Sequence, residues 1–415
     1  MNVFRLRNVM YWCYGIAATL IFSANFVGMA AYQYDIEGAS LENIGLYREL
    51  ATLLSGLLLA GVIPAVGIRK VISFCFLLIA GLSALVFIYP TAWGFVLLYV
   101  VLGLAFGGLQ IGFTNELASL NSQQAGLLSD VSHLEAVYVV GILVITLVSG
   151  LLMQYQQIEL HHLYIVAAVV CAAIGIVAIK KASWFAQQPS VSAKAVMLTG
   201  WRAFLQLFRA LGSTLVILAM ACLGFMVATT TYLLNWIHFF NTTTLQLSDT
   251  LLWQFSIIIA ISTICGRLVV AALVHYLRLL TILQVLLIAS IGCVMGFCIS
   301  YYQYPAVAIP DTMAELPTPI LFVIVAAFFN GGVVPILTGT ITYHTPALQR
   351  GVILGLITFV MSLATLTGTL AFQWSSKMFT PVVLLALIAI PLAVVLILSI
   401  LFITDLRKST SALST

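Results

Sequence analysis

Three ionisable side chains stand close together in the segment LLSDVSHLEAV, residues 127–137. Asp130, His133 and Glu135 fall within six positions of a chain in which only 7% of the residues are charged. Carboxylate and imidazole groups at such spacing could belong to a catalytic triad, a metal site, a proton relay or a helix cap. On a helix, Asp130 and His133 share one face, whereas Glu135 lies about 140° from Asp130. The three side chains therefore cannot converge on one metal ion from a single helix.

The segment lies in a very apolar chain. Hydrophobic residues make up 63% of the 415 residues, and the mean hydropathy is +1.16. Because soluble domains contain about 45–50% apolar residues, this composition indicates a polytopic membrane protein. The apolar run 9–32 is too long for the core of a signal peptide and is interpreted as a retained first helix. The sequence contains no nucleophile–base set, phosphate-binding loop or nucleotide motif, so we expect no enzymatic activity, no cofactor, no metal ion and no nucleic-acid partner.

Windows of about 20 apolar residues, the length that spans a bilayer, occur twelve times. They cover residues 9–32, 43–63, 71–89, 92–114, 131–154, 161–179, 213–240, 250–273, 279–301, 318–340, 352–374 and 380–403. A longer polar connection separates the first six from the last six. The fold class predicted is an all-α polytopic membrane protein, divided into an N-terminal six-helix bundle (1–180), a cytoplasmic linker (181–211), a C-terminal six-helix bundle (212–404) and a cytoplasmic tail (405–415).

The basic residues predict the orientation of the chain. With the N-terminus inside, almost all of the 16 Lys and Arg residues face the cytoplasm, and only Arg48 and Lys377 fall outside. The inverted topology would place the positive charges of the linker outside, against the positive-inside rule. We therefore expect a multi-pass protein of the inner (plasma) membrane with cytoplasmic N- and C-termini.

Paired glycines indicate that the two halves are equivalent. Gly107-Gly108 and Gly331-Gly332 each fall in the fourth helix of one half. Parallel repeats of six helices place a substrate near the membrane midplane between the halves, where interrupted helices line the cavity. The sequence therefore predicts two pseudo-symmetric halves.

Twelve helices in two sets of six, joined by a basic linker, resemble the major facilitator superfamily. The loop between helices 2 and 3 reads AGVIPAVGIRKV and keeps the Gly-x-Arg-Lys end of the superfamily pattern G-x-x-x-D-x-x-G-R-K, including Arg69. Pro64 occupies the position of the expected Asp. The corresponding loop after helix 8 keeps Gly266-Arg267.

In that superfamily the Asp of this loop pairs with an Arg across the cytoplasmic ends as a gate. Because Pro64 replaces the Asp here, the resemblance implies another acidic partner. Asp130 is the candidate, with the basic side supplied by Arg69, Arg267 and Arg350. A helix cap is the alternative role of Asp130, since it stands where the apolar run of helix 5 begins.

Glu135 lies deeper in helix 5 than Asp130 and is the stronger candidate for transport chemistry. An ionisable side chain inside a helix bundle is costly unless it faces a cavity or a partner. Glu135 is therefore predicted to carry a proton or to serve as a gate partner, since a buried carboxyl group could load and release protons during transport. His133 is a second candidate for proton coupling, and a hydrogen-bonded interfacial histidine is its alternative role.

Two further stretches are similar to the fucose/galactose–proton symporter group of the superfamily. Helix 4 reads LGLAFGGLQIGFTN and ends on Asn115, as in the G-x-G…N pattern of that group. Helix 10 contains FFNGGVVPI, which matches its F-N…P-x-I pattern and supplies Asn330 and Pro335. The resemblance implies that Asn115 and Gln110 contact substrate and that Asn330 lines the cavity from the other half.

Some positions depart from that group. That group carries an acid or amide in helices 1 and 7. Here helix 1 offers the amide Asn25 but no acid, and Met226 occupies the position in helix 7. Helix 4 also lacks an acid and carries Gln110. The chain resembles the drug-antiporter branch no better. Helix 5 of that branch carries a Gly-Pro motif, whereas residues 136–150 of this chain contain no proline.

Helix 7 ends in a polar and aromatic stretch, ATTTYLLNWIHFFNTTT, residues 228–244. Tyr232 and Asn235 lie three residues apart on one helix face and are expected to line the cavity. Trp236 and His238 are expected to anchor the helix at the headgroups.

These observations predict a secondary active transporter that works by alternating access. The predicted substrate-binding residues are mostly amides, with one aromatic hydroxyl: Asn25, Gln110, Asn115, Tyr232, Asn235 and Asn330. Such a set suits a small neutral or zwitterionic organic solute, and proton-coupled uptake by a monomer in the lipid bilayer is the favoured function. A proton-driven exporter of a metabolite, siderophore or drug is the first alternative. A transporter-like receptor without turnover is the second.

Overall fold

The computed structural model of the chain is built from α-helices. It describes residues 3–21, 44–59, 63, 66–155, 161–180, 214–303, 310, 312–347 and 349–412. Within these residues the helices are α1 (Val3–Ile21), α2 (Ile44–Leu59), α3 (Ile68–Ile88), α4 (Ala92–Leu120), α5 (Gln124–Tyr155), α6 (His161–Lys180), α7 (Thr214–Thr243), α8 (Asp249–Leu273), α9 (Leu279–Gln303), α10 (Ile320–Gly331 and Val333–His344), α11 (Arg350–Ser375) and α12 (Pro381–Ala386 and Ala389–Ala412). A short 3₁₀ turn, Met313–Glu315, precedes α10.

Ten of these helices, α3 to α12, are long and apolar enough to cross a membrane, counted over the described residues. Helices suit this environment because each satisfies its backbone N–H and C=O groups within the segment. The description of α1 and α2 covers only part of the predicted windows 9–32 and 43–63. The predicted all-α polytopic fold with twelve helices is confirmed.

Contacts between helices divide the chain into two units, each discontinuous in sequence. The first unit comprises Met1–Ser122, Val140–Ala210 and Thr342–Ser362, and the second comprises Gln123–Val139, Leu211–Ile341 and Leu363–Thr415. The first part of α5 thus belongs to the second unit, and the first part of α11 belongs to the first. Chain order alone does not reveal this exchange.

The same helix pairings recur in both units. In the first unit α4 packs on α2 and α3, and α3 packs on α6; in the second, α10 packs on α8 and α9, and α9 packs on α12. A Cβ atom on Gly107 of α4 would lie 1.6 Å from the Ser55 hydroxyl oxygen of α2, and one on Gly331 of α10 would lie 2.8 Å from the Thr263 carbonyl oxygen of α8. Gly107 and Gly331 therefore let the fourth helix of each unit approach the second.

Two helices are interrupted shortly before a proline. The break in α10 lies at Gly332, before Pro335, and the break in α12 lies before Pro391. Proline lacks an N–H group, and its ring clashes with the carbonyl group four residues earlier. In α10 that carbonyl group belongs to Gly331, which is left without its usual helical donor.

Candidate functional site

The candidate site is the interface between residues 124–139 of α5, the helix α8 and residues 320–341 of α10, all within the second unit. We call it the α5 interface. At its base α8 touches α10 through Gly266, where a Cβ atom would lie 1.9 Å from the Phe328 carbonyl oxygen. Because that neighbour is backbone, only glycine fits at this separation. The close approach brings the next side chain, Arg267, onto α10.

Arg267 joins three helices through one guanidinium group. Its Nε atom donates to the Gly331 carbonyl oxygen at 3.2 Å, the acceptor that Pro335 leaves free. Its Nη1 atom donates to the Glu135 carboxylate oxygen Oε2 at 3.3 Å and also to the Glu135 backbone carbonyl oxygen. The planar fork of donors suits arginine for this task.

The Arg267–Glu135 pair is largely buried, with side-chain exposures of 12% and 9%. Removing one partner of such a pair leaves an uncompensated buried charge, at a cost of about 3–5 kcal/mol. Protonation of the carboxylate neutralises one partner without any other change. The pair can therefore respond to a single proton.

The rest of the acidic cluster lies on the same part of α5. The helix begins at Gln124, so Asp130 lies in its second turn, and the interpretation of Asp130 as a helix cap is wrong. Gln, Ala and Leu residues favour a helix and carry it past the predicted start. Asp130 is buried, and the Nδ1 atom of His133 lies 2.8 Å from the Ser129 carbonyl oxygen.

Asn330 stands on α10 next to the Gly331 carbonyl group that binds Arg267. Its side chain is 3% exposed, and neither Oδ1 nor Nδ2 has a hydrogen-bond partner among the described residues. An unpaired buried amide costs about 1–3 kcal/mol, so its presence calls for a reason. A ligand that pairs with the amide would supply one.

Tyr232 and Asn235 of α7, three residues apart on one helix face, both face the second part of α11. The Tyr232 hydroxyl lies 2.8 Å from the Ser375 hydroxyl, and Asn235 Nδ2 donates to Thr369 Oγ1 at 3.5 Å. Phe372 lies edge-on to Tyr232, with ring centroids 5.2 Å apart. These five residues present hydroxyl, amide and aromatic groups without a charge, a chemistry that suits a neutral polar molecule.

Trp236 lies inside the helix bundle and not at the headgroups, where its residue type predicted it. It is 1% exposed, and its Nε1 atom donates to the Pro381 carbonyl oxygen at 2.6 Å. The prediction of a headgroup anchor is therefore wrong for Trp236, which belongs to the packed core of the second unit. His238 is exposed.

Gln110 and Asn115 lie on α4 in the first unit. Gln110 is buried, and its Nε2 atom donates to the sulfur of Met361 at 3.7 Å. Sulfur is a weak acceptor, so the amide has capacity for a stronger partner. Asn115 is half-buried.

Sequence reasoning missed one buried acid. The helix α4 continues to Leu120, beyond the predicted window 92–114, and therefore includes Glu116, which is 3% exposed. The expectation that helix 4 lacks an acid is wrong. The run Glu-Leu-Ala-Ser-Leu after Asn115 contains strong helix formers and was the signal that could have revealed it.

The other predicted gate residues lie in the first unit. Arg69 is half-buried in the first turn of α3, and Arg350, at the start of α11, donates through Nε to the Thr345 carbonyl oxygen at 3.2 Å. Asn25 and Pro64 lie outside the described residues. Over the part of the chain that is described, no group of three or more His, Cys, Asp or Glu could hold a metal ion.

The fold is similar to those of solved transporters. The proton:xylose symporter XylE bound to 6-bromo-6-deoxy-D-glucose has a TM-score of 0.70 and 12% identity, over 95% of both chains. The human organic anion transporter MFSD10 (TETRAN) has a TM-score of 0.67 and 13% identity, over 96% of this chain and all of the other. The transporter FucP in its outward conformation has a TM-score of 0.67 and 10% identity, over 94% of this chain and 98% of the other. At such identities the likeness concerns the fold alone.

No curated protein sequence matches the chain. The family model of the Major Facilitator Superfamily matches residues 7–369, which is most of its length. The predicted resemblance to this superfamily is confirmed. Because the family and these neighbours are transporters, the chain is not an enzyme. The chain belongs to the major facilitator superfamily and is a multi-pass secondary transporter.

Proposed function

We propose that this transporter takes up a small neutral or zwitterionic organic solute together with a proton, by alternating access. The Arg267–Glu135 pair carries the proposal, because it is a buried ionic contact between helices that one proton weakens. The fold likeness to the proton:xylose symporter XylE supports the same class of transport.

The contacts of Arg267 suggest how protonation would drive the cycle. With Glu135 ionised, the guanidinium holds the first part of α5 against α8 and α10. With Glu135 protonated, Arg267 retains only carbonyl acceptors, and α5 separates more readily. Loss of the proton restores the pair. Glu135 is then both the gate residue and the proton carrier. His133, close by on α5, modulates this response to protons.

The solute is proposed to bind the polar residues Gln110, Asn115, Tyr232, Asn235 and Asn330, with Asn25 as a further candidate. Amides and hydroxyls donate and accept hydrogen bonds without adding net charge. Aromatic faces such as those of Tyr232 and Phe372 add apolar contact area. This chemistry favours a neutral or zwitterionic solute over a strongly anionic one.

We propose the orientation that the basic residues predict, with both termini in the cytoplasm, the linker at residues 181–211 and a monomeric protein in the inner (plasma) membrane. The beginning of α5 and Arg267 then lie at the cytoplasmic ends of their helices. Asp130 is proposed to act there with Arg69 and Arg350 as an additional part of the gate.

Transport by purified protein in proteoliposomes tests the proposal. A thermal-shift screen of sugars, amino acids, nucleosides and carboxylates first identifies the solute, because a ligand of the folded state raises its apparent stability. An inward proton gradient should then drive accumulation, and Glu135→Gln should abolish accumulation while sparing exchange. Full gradient-driven uptake by Glu135→Gln would sink the proposal. Glu49→Gln is the matched control, because Glu49 pairs at 2.6 Å with the adjacent Arg48 on α2 and should leave accumulation unchanged.

The same preparation separates the alternatives. Counterflow in inverted and right-side-out vesicles distinguishes uptake from export of a metabolite, siderophore or drug. Binding of a solute without any flux would indicate a receptor without turnover.

A further inference from the structure

A cavity of about 330 Å³ in the first unit has no role in the proposed transport cycle. It lies between α1, α3, α4, α5 and α6, and eleven of its fourteen lining residues are aliphatic; the others are Thr19, Ser83 and Tyr164. The Thr19 hydroxyl donates within its own helix, to the Gly15 carbonyl oxygen at 2.9 Å. A cavity lined in this way does not hold water but can hold an apolar molecule. We call it the lateral cavity.

Close glycine contacts set the register between the first and fifth helices of each unit. In the first unit a Cβ atom on Gly141 of α5 would meet the Gly15 carbonyl oxygen of α1. In the second unit one on Gly368 of α11 would meet the Ala228 carbonyl oxygen of α7. Because these two contacts correspond, positions that follow them by the same number of residues can be compared between the units.

Four residues beyond these contacts, the two units differ in side-chain size. The second unit has Tyr232 and Phe372, whose rings pack edge to face with centroids 5.2 Å apart. The first unit has Thr19 and Ile145, and both line the lateral cavity. The helices α7 and α12 also pack on each other, whereas their counterparts α1 and α6 make little direct contact among the described residues. Smaller side chains between helices that pack less closely account for the cavity.

Exposed aromatic residues show how deep the lateral cavity lies in the membrane. Tyr89 and Trp93, on either side of the α3–α4 connection, are exposed, as is typical of residues at the headgroups. Leu98 and Leu102 of α4 follow Trp93 by five and nine residues, which is about 8 and 14 Å along the helix. Ser83 of α3 precedes Tyr89 by six residues, about 9 Å. The cavity therefore lies within the hydrocarbon part of one leaflet.

The lateral cavity opens between α5 and α6 onto the lipid-facing surface. Val144 of α5 and Val166 and Val170 of α6 line it and are also exposed at the surface of the bundle, whereas Leu98 and Leu102 lie at its inner end and are buried. Acyl chains surround the helices at this depth. A chain can therefore enter from the side without passing a polar barrier, and it meets aliphatic side chains throughout.

We propose that the lateral cavity binds one acyl chain of a phospholipid from the adjacent leaflet. The chain lies between α1, α5 and α6 and ends against α4. It takes the place that the rings of Tyr232 and Phe372 have in the second unit. Because the contacts are apolar, the site recognises the hydrocarbon chain and not the headgroup. The inference depends on neither the coupling ion nor the identity of the solute.

Photo-cross-linking of the full-length protein in phosphatidylcholine vesicles tests this site. The probe is a phosphatidylcholine with a diazirine in the middle of one acyl chain, which on illumination inserts into side chains that the chain touches, and mass spectrometry locates the products. The readout compares two residues of α4: Leu102, which is 2% exposed and lines the cavity, and Leu97, which is 48% exposed and does not. Leu117, buried in α4 away from the cavity, gives the background. In the wild type, Leu102 should be labelled well above Leu117.

Variants that fill the lateral cavity should remove this label. Ala167→Phe adds a ring inside the cavity and should lower the ratio of the Leu102 label to the Leu97 label about tenfold. Val169→Phe is the matched control, because Val169 is a lipid-exposed residue of α6 outside the cavity, and it should leave the ratio unchanged. If Ala167→Phe does not fold, Ile145→Phe gives the same test with the residue type that the second unit has at Phe372.

Three results would overturn the proposal. One is a wild-type label on Leu102 no greater than that on Leu117, which would show that no chain enters. Another is a wild-type ratio in the folded cavity-filling variant, which would show that the label on Leu102 arises elsewhere. The third is loss of the Leu102 label when the protein-to-lipid ratio is raised, which would assign the cavity to a contact between copies of the chain.

Discussion

Arg267 and Glu135 meet with 3.3 Å between Nη1 and Oε2, and uncharged residues make this contact possible. Gly266 lets α8 approach the backbone of α10, and Pro335 leaves the Gly331 carbonyl oxygen free to accept from the same guanidinium. Gly266 thus sets the distance between α8 and α10, Pro335 frees a carbonyl acceptor on α10, and Arg267 joins both helices to α5. The two motifs that sequence analysis singled out in helices 8 and 10 therefore serve one interaction.

Replacing Arg267 alone should lower the stability of the protein more than replacing both partners of the pair. Arg267→Gln leaves the Glu135 carboxylate buried without its cation, at a cost of about 3–5 kcal/mol. The double variant Arg267→Gln/Glu135→Gln avoids that charge, so its apparent Tm in detergent should be higher than that of Arg267→Gln. Thermal unfolding of the two variants and of the wild type measures the difference. A double variant no more stable than Arg267→Gln would contradict a direct ionic contact.

Gly266→Ala should disrupt the α5 interface through backbone contact alone. Its Cβ atom would lie 1.9 Å from the Phe328 carbonyl oxygen, and such overpacking costs about 1–3 kcal/mol. The expected result is a lower Tm together with reduced proton-driven transport. Gly292→Ala is the control, because nothing lies within 4 Å of the added atom on α9. Equal effects of the two substitutions would rule out a specific role for the close approach.

Asn330→Leu should stabilise the protein and weaken solute binding. The substitution keeps the approximate shape of the side chain and removes an amide that lacks partners among the described residues, which is worth about 1–3 kcal/mol. A purely structural asparagine would give the opposite change in stability. Thermal unfolding and the thermal shift caused by the solute measure the two effects. A solute shift as large as that of wild type would show that Asn330 does not contact the solute.

Apolar windows were sufficient to predict the twelve helices, and paired glycines were sufficient to predict their repetition. The bilayer requires long apolar segments, and close helix packing requires the paired glycines, so both leave strong signals in the sequence. Hydropathy windows report the apolar thickness of the membrane and not the length of a helix. Both α4 and α5 extend beyond their windows, which is why Glu116 was overlooked and Asp130 was interpreted as a cap.

The partners within the site depend on tertiary packing that no local pattern encodes. Asp130 and Glu135 are both acidic residues near the start of helix 5, and only the packing of α5 on α8 and α10 identifies Glu135 as a partner of Arg267. Trp236 illustrates the same limit, since an aromatic residue near a helix end can lie in the headgroups or in the core. Contacts between helices that are distant in sequence decide such cases.

The first unit contains a counterpart of the α5 interface, and the close glycine contacts described there involve uncharged residues. There the first part of α11 packs on α2 and α4, and a Cβ atom on Gly56 would lie 2.6 Å from the Gly355 carbonyl oxygen. Gly107 approaches Thr358 of α11 in the same region, within 3.3 Å of its methyl carbon. None of these residues can be ionised. A proton should therefore act on the α5 interface and not on this one.

Reporter cysteines can compare the pH response of the two interfaces. In a variant without the seven native cysteines, Leu128→Cys would report on α5, where Leu128 packs on Gly339, and Thr358→Cys would report on α11. Lowering the pH protonates Glu135 and weakens its attraction to Arg267, so maleimide should label Leu128→Cys faster relative to a free thiol at the same pH, whereas Thr358→Cys should show no such change. Adding Glu135→Gln should make the labelling of Leu128→Cys fast at every pH. An equal pH response at both positions, or a response that persists with Glu135→Gln, would place the proton-sensitive group elsewhere.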